Sequence, residues 1–257
     1  MTPYWTNEQH GLSIYLGDCL AILPQLGREF DLCLTDPPYA LTFGSCTPDT
    51  PAFHTLIANG WSETFGWVPM ALDLMKHGAA FYCWMNDEGW SELKAVVTEH
   101  GGRPCGRLVV VKTNPMPALP RSNYRKATEL VLYATVGDAT AAFNADSQED
   151  ALPLFFAPIC GGHERTKHPT QKPLSIIERM VRISSNRGDT ILDPFLGSGT
   201  SLAAAYRLGR QGVGVEIDER YCQLAAERLE REIAQGRLFE PEETAPKPAQ
   251  TTLEVDA

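Results

Sequence analysis

The sequence predicts an α/β protein built on an open, mostly parallel sheet with helices on both faces. Apolar segments of strand length alternate along the chain with amphipathic segments of helix length. Residues 30–35 form a near-continuous apolar run, the pattern of a strand buried on both faces rather than on one. Two such runs stop in short loops of special composition, Thr35-Asp36-Pro37-Pro38-Tyr39 and Asp193-Pro194-Phe195-Leu196-Gly197-Ser198-Gly199-Thr200. Strand-to-loop corners of this kind are where ligands bind in an open α/β sheet.

Taken in order, residues 14–17 read as a strand, 19–26 as a helix and 30–35 as the buried strand. After a loop rich in Pro, Gly and Thr, residues 63–77 read as a helix, and 79–85, 107–112 and 129–135 as strands. Residues 136–167 lose this periodicity. Too short and too polar for a second core, they read as an excursion from the sheet. Pro173 then starts a helix where proline is tolerated, with Leu174, Ile177 and Val181 on one face and Gly188 past its end. A strand at 190–193, a helix at 200–208, a strand at 212–216 and a helix from Glu219 complete the alternation. From about residue 240 the chain turns to Pro, Glu, Thr and Ala, the composition of a disordered tail. The expectation is one domain over 1–239.

At 257 residues the chain is long enough to bury one substantial core. The first ten residues lack the basic start and apolar stretch of a signal peptide, and no apolar run reaches membrane-spanning length, so the expected location is the cytoplasm. The seven cysteines, Cys19, Cys33, Cys46, Cys83, Cys105, Cys160 and Cys222, are scattered and never spaced Cys-x-x-Cys, which indicates neither a zinc site nor a disulfide framework. No metal is expected. A formal net charge of -10 argues against broad adhesion to nucleic acid, because phosphate contacts need clustered cations. A local basic groove remains open, and its candidate residues are Lys112, Arg121, Arg125 and Lys126, then His163, Arg165, Lys167 and His168.

The late loop joins a strand ending in an acid to a helix through Gly197-x-Gly199. Glycine has no Cβ to hold a ligand away from the backbone. Glu216 ends the next strand, about 20 residues on, where a carboxylate binds ribose hydroxyls. A nicotinamide dinucleotide is one candidate, but the third glycine of its fingerprint is replaced by Leu202. S-adenosylmethionine has no pyrophosphate: its ribose suits Glu216, its ammonium suits Asp193, and its carboxylate suits donors near a helix start, such as Ser198 and Thr200. Phe195 completes the loop. Asp18, after the first strand, is placed to meet the adenine amino group while also capping the helix that follows.

The early loop fits a reaction at a base amine. Such an amine is a poor nucleophile because its lone pair is delocalised, and to attack a methyl group it must pyramidalise with acceptors aimed at its hydrogens. Asp36 offers a carboxylate and Pro37 a carbonyl, while Pro37 and Pro38 stiffen the loop and remove two competing N–H donors. Tyr39 can stack on a base that has left the duplex.

With both loops in view, the chain resembles the beta group of amino-methylating DNA methyltransferases, which act on adenine N6 or cytosine N4 and carry the catalytic motif before the cofactor motif. Further matches are Gly17-Asp18-Cys19-Leu20, Asn114-Pro115-Met116-Pro117 followed by Arg121 and Glu129, and His168-Pro169-Thr170-Gln171-Lys172-Pro173. The resemblance implies a Rossmann-like methyltransferase fold with a twisted seven-stranded sheet, its last strand antiparallel, and a circularly permuted motif order. It also implies that Thr170 and Lys172 help to bind the methionine end of the cofactor and that Cys19 lies at the cofactor site. His168, a lone histidine before proline, is ordinarily structural. Asp at position 36 favours adenine, since cytosine-N4 members more often carry Ser there. The implied partner is double-stranded DNA. Target recognition has only residues 136–167 to draw on, so the loop at 40–67, with Phe43, Phe53, Trp61 and Trp67, or a second subunit in a homodimer is expected to contribute; burial is the commoner fate of such aromatics. Cytosine N4, an RNA or protein-amide substrate, and a non-catalytic DNA-binding subunit stand as alternatives.

Overall fold

A computed structural model describes residues 1–27, 29–38, 65–117 and 124–236. The expected tail, Tyr39, Arg121, Cys46, Phe43, Phe53 and Trp61 lie outside them. Among the described residues nine strands form one sheet in the order β1-β2-β9-β8-β3-β4-β6-β5-β7. They are β1 (Trp5–Asn7), β2 (Leu12–Leu16), β3 (Phe30–Thr35), β4 (Met75–Met85), β5 (Gly102–Lys112), β6 (Thr128–Val136), β7 (Leu154–Ala157), β8 (Thr190–Asp193) and β9 (Gln211–Glu216). The α-helices are α1 (Cys19–Ile22), α2 (Trp67–Asp73), α3 (Trp90–Glu99), α4 (Leu174–Ser184), α5 (Thr200–Leu208) and α6 (Glu219–Gln235).

Both faces of the sheet are covered, which is why its central strands read as apolar runs. On β3, Leu32 and Leu34 face one core and Phe30 and Cys33 the other; on β4, Tyr82 and Trp84 oppose Phe81 and Cys83. Helices α4, α5 and α6 close the first core through Ile177, Met180, Leu202 and Leu229, and α1, α2 and α3 close the second through Ile22, Val68 and Leu93. Trp67 is part of the second core, stacked on Phe81 with ring centroids 6.1 Å apart, so burial is its role.

The expected seven strands become nine. Short β1 pairs antiparallel to β2 at one edge, and β7 pairs parallel to β5 at the other, with Val109 opposite Leu154 and Lys112 opposite Ala157. The reversed strand within the central seven is β6, between β4 and β5, and not the last in the chain. Thus part of the segment 136–167 belongs to the sheet. Its polar part is fastened to α4: the Asn144 amide donates to the Ser185 carbonyl at 3.0 Å, and Asp150 pairs with Arg179 at 3.1 Å and Arg182 at 2.7 Å. Binding through charges instead of an apolar stripe is what hid this segment from a periodicity argument.

Strands β2, β4 and β5 start at Leu12, Met75 and Gly102, earlier than the expected 14, 79 and 107, and three helix boundaries move as well. The first helix stops at Ile22 and continues as a 3-10 turn through Pro24, which lacks the N–H to extend an α-helix. Of the helix expected at 63–77, residues 63 and 64 lie outside the described residues, and α2 ends at Asp73 because Met75 already pairs with Phe30 at the start of β4. Pro173 is the residue before the first turn of α4 and not within it. Helix α3 was not expected. For the site, the consequential pairing is β3 with β8: Leu32 lies opposite Ile191 and Cys33 opposite Leu192, so two loops far apart in sequence leave the sheet side by side.

Candidate active site

Parallel β3, β8 and β9 end at Thr35, Asp193 and Glu216, and these three residues line one cleft of about 990 Å³. The Thr35 hydroxyl donates to the Asp193 carboxylate at 2.9 Å, which ties the two special loops together directly. The cleft is near the upper end of volumes that take one small ligand, so it has room for a cofactor and a further group.

The loop after β8 is held mainly by its own backbone. The amides of Gly197 and Asp218 donate to the two carboxylate oxygens of Glu216 at 2.8 and 2.9 Å, and the Leu196 amide to the Val215 carbonyl at 2.9 Å. Asp193 accepts from the Phe195 amide at 3.1 Å and from the Ser201 hydroxyl. Gly197 and Gly199 are left-handed, with φ of 52° and 75°. A Cβ at Gly197 would meet the His168 ring at 3.0 Å, and one at Gly199 would meet Ala225 at 2.9 Å. Gly199 therefore serves close packing against α6, while Gly197 lines the cleft. Ser198 and Thr200 bond each other at 3.1 Å, and buried Arg228 of α6 donates to Thr200 at 2.8 Å and to the Ser198 carbonyl at 3.3 Å.

The acids of this corner are held away from water. Burial pushes the Asp193 carboxyl up to about 6 and the Glu216 carboxyl up to about 7, against the hydrogen bonds that each accepts. A ligand bringing hydroxyls and an ammonium suits both. Burial, with the charges of Lys172 and Arg165, lowers His168 to about 4; its ring packs edge-on to Tyr221 at 4.5 Å, and its Nδ1 has no partner among the described residues. Beside Glu216 a small recess is lined by Gly17, Asp18, Cys19 and Phe195. There Asp18 accepts from the Leu20 amide at 2.9 Å as the cap of α1, and Cys19 is buried.

Asp36, Pro37 and Pro38 form the next stretch of the wall. Lys172, from the loop before α4, reaches across and pairs with Asp36, and its Nζ lies 3.6 Å from Glu129 of β6. Lys112 of β5 pairs with the same Glu129 at 2.6 Å. The sequence of the β8 and β3 corners, the order in which they occur and the cleft that they share all point one way, and the profile of the DNA methylase family matches residues 30–227.

The chain belongs to this family of N6- and N4-amino-methylating DNA methylases. It is 26% identical over 253 residues to the type II methyltransferase M2.DpnII of Streptococcus pneumoniae, covering 90% of this chain and 94% of that one. It is 25% identical over 248 residues to M2.MboI of Moraxella bovis, covering 88% and 90%. Among solved structures, M1.HpyAVI in complex with S-adenosylmethionine is 30% identical, covers 84% of this chain and 98% of its own, and superposes with a TM-score of 0.69. The cytosine-N4-specific PvuII methyltransferase, 16% identical with a TM-score of 0.65, shares the fold. S-adenosylmethionine is the methyl donor of this family, and the donor set around Asp193 and Glu216 fits it.

Of the other residues expected to serve the methylase, most line the cleft. Arg125, Lys126, Arg165 and Thr170 are on it, with Arg125 donating to the Met116 carbonyl at 3.3 Å and Arg165 to the Pro169 carbonyl at 3.2 Å. Lys167 is exposed but outside the lining, and Lys112 is engaged by Glu129. Sequence reasoning did not find Arg107, which lines the cleft with its guanidinium 4.2 Å over the Trp90 ring, nor Ser201, Tyr221 and Arg228. The last three lie on helices where a polar residue on an otherwise buried face is the only signal. No described helix is long and apolar enough to cross a membrane.

Proposed function

We propose that this methylase modifies adenine N6 at specific sites in duplex DNA, acting on a base rotated out of the helix, in the manner of a type II modification enzyme of the bacterial cytoplasm. The observation that carries the reading is Asp36, held at the Pro37-Pro38 corner beside the cofactor corner by the Thr35–Asp193 hydrogen bond.

When bound, S-adenosylmethionine supplies an electrophilic methyl group on a sulfonium. In this reading Glu216 binds the ribose hydroxyls, Asp193 faces the ammonium, and Asp18 and Cys19 border the adenine recess beside Phe195. Gly197, Ser198, Thr200 and Thr170 shape the surround of the methionine end, while Gly199 seats the loop against α6. Asp36 and the Pro37 carbonyl accept the hydrogens of the target amine, stabilising the pyramidal nitrogen as it attacks, and Tyr39 stacks on the extruded base. Asp36 need not be a strong base, because the amine proton becomes acidic as the new N–C bond forms. Arg125, Lys126, Arg165 and Lys167 supply phosphate contacts near the cleft, and Arg121 is a further DNA contact on the strength of the sequence motif alone. Because residues 144–157 are bound to α4 and β5, the loop at 40–67 and a second copy of the chain are the expected sources of further recognition contacts.

The test is transfer of labelled methyl from S-adenosylmethionine to unmethylated genomic DNA, followed by digestion to nucleosides and mass spectrometry. N6-methyladenine is expected. N4-methylcytosine would move the substrate to cytosine, and label in RNA or protein but not in DNA would overturn the assignment.

A further inference from the structure

The catalytic-loop acid does not stand alone in the cleft. Lys172, Asp36, Glu129 and Lys112 form an alternating chain of charges drawn from four segments: the loop before α4, the end of β3, β6 and β5. Lys172 is the centre of it, its side chain 13% exposed, with its Nζ against Asp36, 3.6 Å from Glu129 and 5.7 Å from the Trp84 ring centroid. Burial disfavours its cation, but Asp36 and Glu129 outweigh that and hold the ammonium above the ordinary lysine value. Burial likewise opposes the Glu129 charge, and Lys172 and Lys112 more than compensate.

The backbone leaves Lys172 little freedom to be elsewhere. Pro173 follows it and restricts it to extended conformations. Gln171, just before it, is buried and pinned three ways: its side-chain oxygen accepts from the Thr166 amide at 2.7 Å and hydroxyl at 2.8 Å, and its amide nitrogen donates to the Glu164 carbonyl at 2.7 Å. A loop fixed on both sides of one lysine, with two carboxylates to receive that lysine, is built to hold a charge in one place.

From this geometry we infer that Lys172 is a positioning residue for Asp36, braced by Glu129, and not a ligand of the cofactor's methionine end. The pair keeps the carboxylate of Asp36 oriented into the cleft, so that it meets the target amine with its acceptor already placed. Glu129 holds the lysine from the far side, and Lys112 balances the charge of Glu129. The inference rests on the reading of Asp36 as the acceptor for that amine.

The experiment compares Lys172→Met, Lys172→Arg and Asp36→Asn, and the double variant Lys172→Met with Asp36→Asn, in the full chain. Two quantities are measured on each: the S-adenosylmethionine dissociation constant by calorimetry without DNA, and the single-turnover rate at saturating cofactor and DNA. Lys172→Met is expected to slow the single turnover by about 10–100-fold, as loss of a group that orients a reacting ligand does, and to change cofactor affinity less than threefold. Lys172→Arg, which keeps the cation, is expected to recover most of the rate. In the Asp36→Asn background, Lys172→Met should cost less than about threefold more, because the group it positions is already gone. Cofactor binding weakened tenfold or more by Lys172→Met, with the turnover rate at saturation kept, would overturn the inference in favour of a methionine-end ligand. A full and independent loss in the Asp36→Asn background would overturn it too. A wild-type rate in Asp36→Asn by itself would instead remove the acceptor role of Asp36, and the inference with it.

Discussion

Around Glu216 the wall of the cleft is made of backbone, whereas around Glu129 it is made of side chains. The carboxylate of Glu216 is taken up by the amides of Gly197 and Asp218, and the loop that supplies the first of these, 193–200, is contiguous. Glu129 is met by Lys112 of β5 and Lys172 of the α4 loop, and Lys172 in turn by Asp36 of the β3 corner. One region carries its geometry in two short runs, 193–200 and 215–218. The other exists only once four segments have been brought together by the sheet. A substitution in the first should therefore disturb local conformation and cofactor binding, and one in the second should disturb charge and chemistry while leaving the loop intact.

The sharpest separation comes from Asp36→Ala. Methyl transfer should fall by about 10²–10⁴-fold, the range for removing an acceptor from the reacting centre, with S-adenosylmethionine affinity nearly unchanged by calorimetry. Comparable loss of cofactor binding would show that the two corners are not separable. Gly197→Val should do the reverse. It places a branched Cβ at φ 52° and against the His168 ring, costing about 1–3 kcal/mol in strain, so that cofactor affinity falls at least about tenfold. Unaltered affinity would mean that the backbone of this loop does not shape the site.

At the mouth of the cleft, where cations line the rim, the effects are smaller. Arg125→Ala or Lys126→Ala should weaken DNA binding similarly for all sequences and reduce the slope of log affinity against log salt by about 0.9 for each phosphate that the protein no longer neutralises. A change confined to one sequence would make the residue a base reader instead.

The smallest effect concerns Glu216 in the ligand-free protein. Burial raises its carboxyl from an ordinary 4.5 to about 7, so its protonated form stabilises the fold fully below about pH 4.5, and that contribution is lost as pH rises through about 7. Between pH 5 and 8 the wild type should lose more thermal stability than Glu216→Gln, by on the order of 5 °C in Tm. Equal losses would show that Glu216 is solvated well enough to escape the burial that its position imposes.

Much of the central sheet was legible because both of its faces are buried. The boundaries of β3, β8 and α5 were read as they stand, each an apolar stretch ending at an acid, a glycine or a proline. The misreadings fall where another force does the binding. Strand β7 is only four residues long, with Phe155 and Ala157 buried, and it follows a polar stretch secured by Asp150 to Arg179 and Arg182. Helix α3 buries only Leu93 and Val97, so its amphipathic signal is weak. At the site, Asp36, Asp193, Gly197 and Glu216 could be named because each ends a strand or opens a turn, whereas Arg107, Ser201, Tyr221 and Arg228 sit inside regular elements where local sequence gives no reason to prefer them.

By itself, the sequence determined the α/β class, the two ligand-bearing corners, the order in which they occur and, through those motifs, the chemistry of amine methylation. These are properties of short runs: apolar period, proline stiffness and the conformational freedom of glycine act over a few residues. Only the tertiary structure decided that β3 lies beside β8, that Thr35 bonds Asp193, and that Lys172 faces Asp36 and Glu129. The reason is that a polar contact between residues tens to more than a hundred positions apart leaves no periodic or local trace; it is created when strands from distant parts of the chain come together in one sheet and their ends and loops meet in the same cleft.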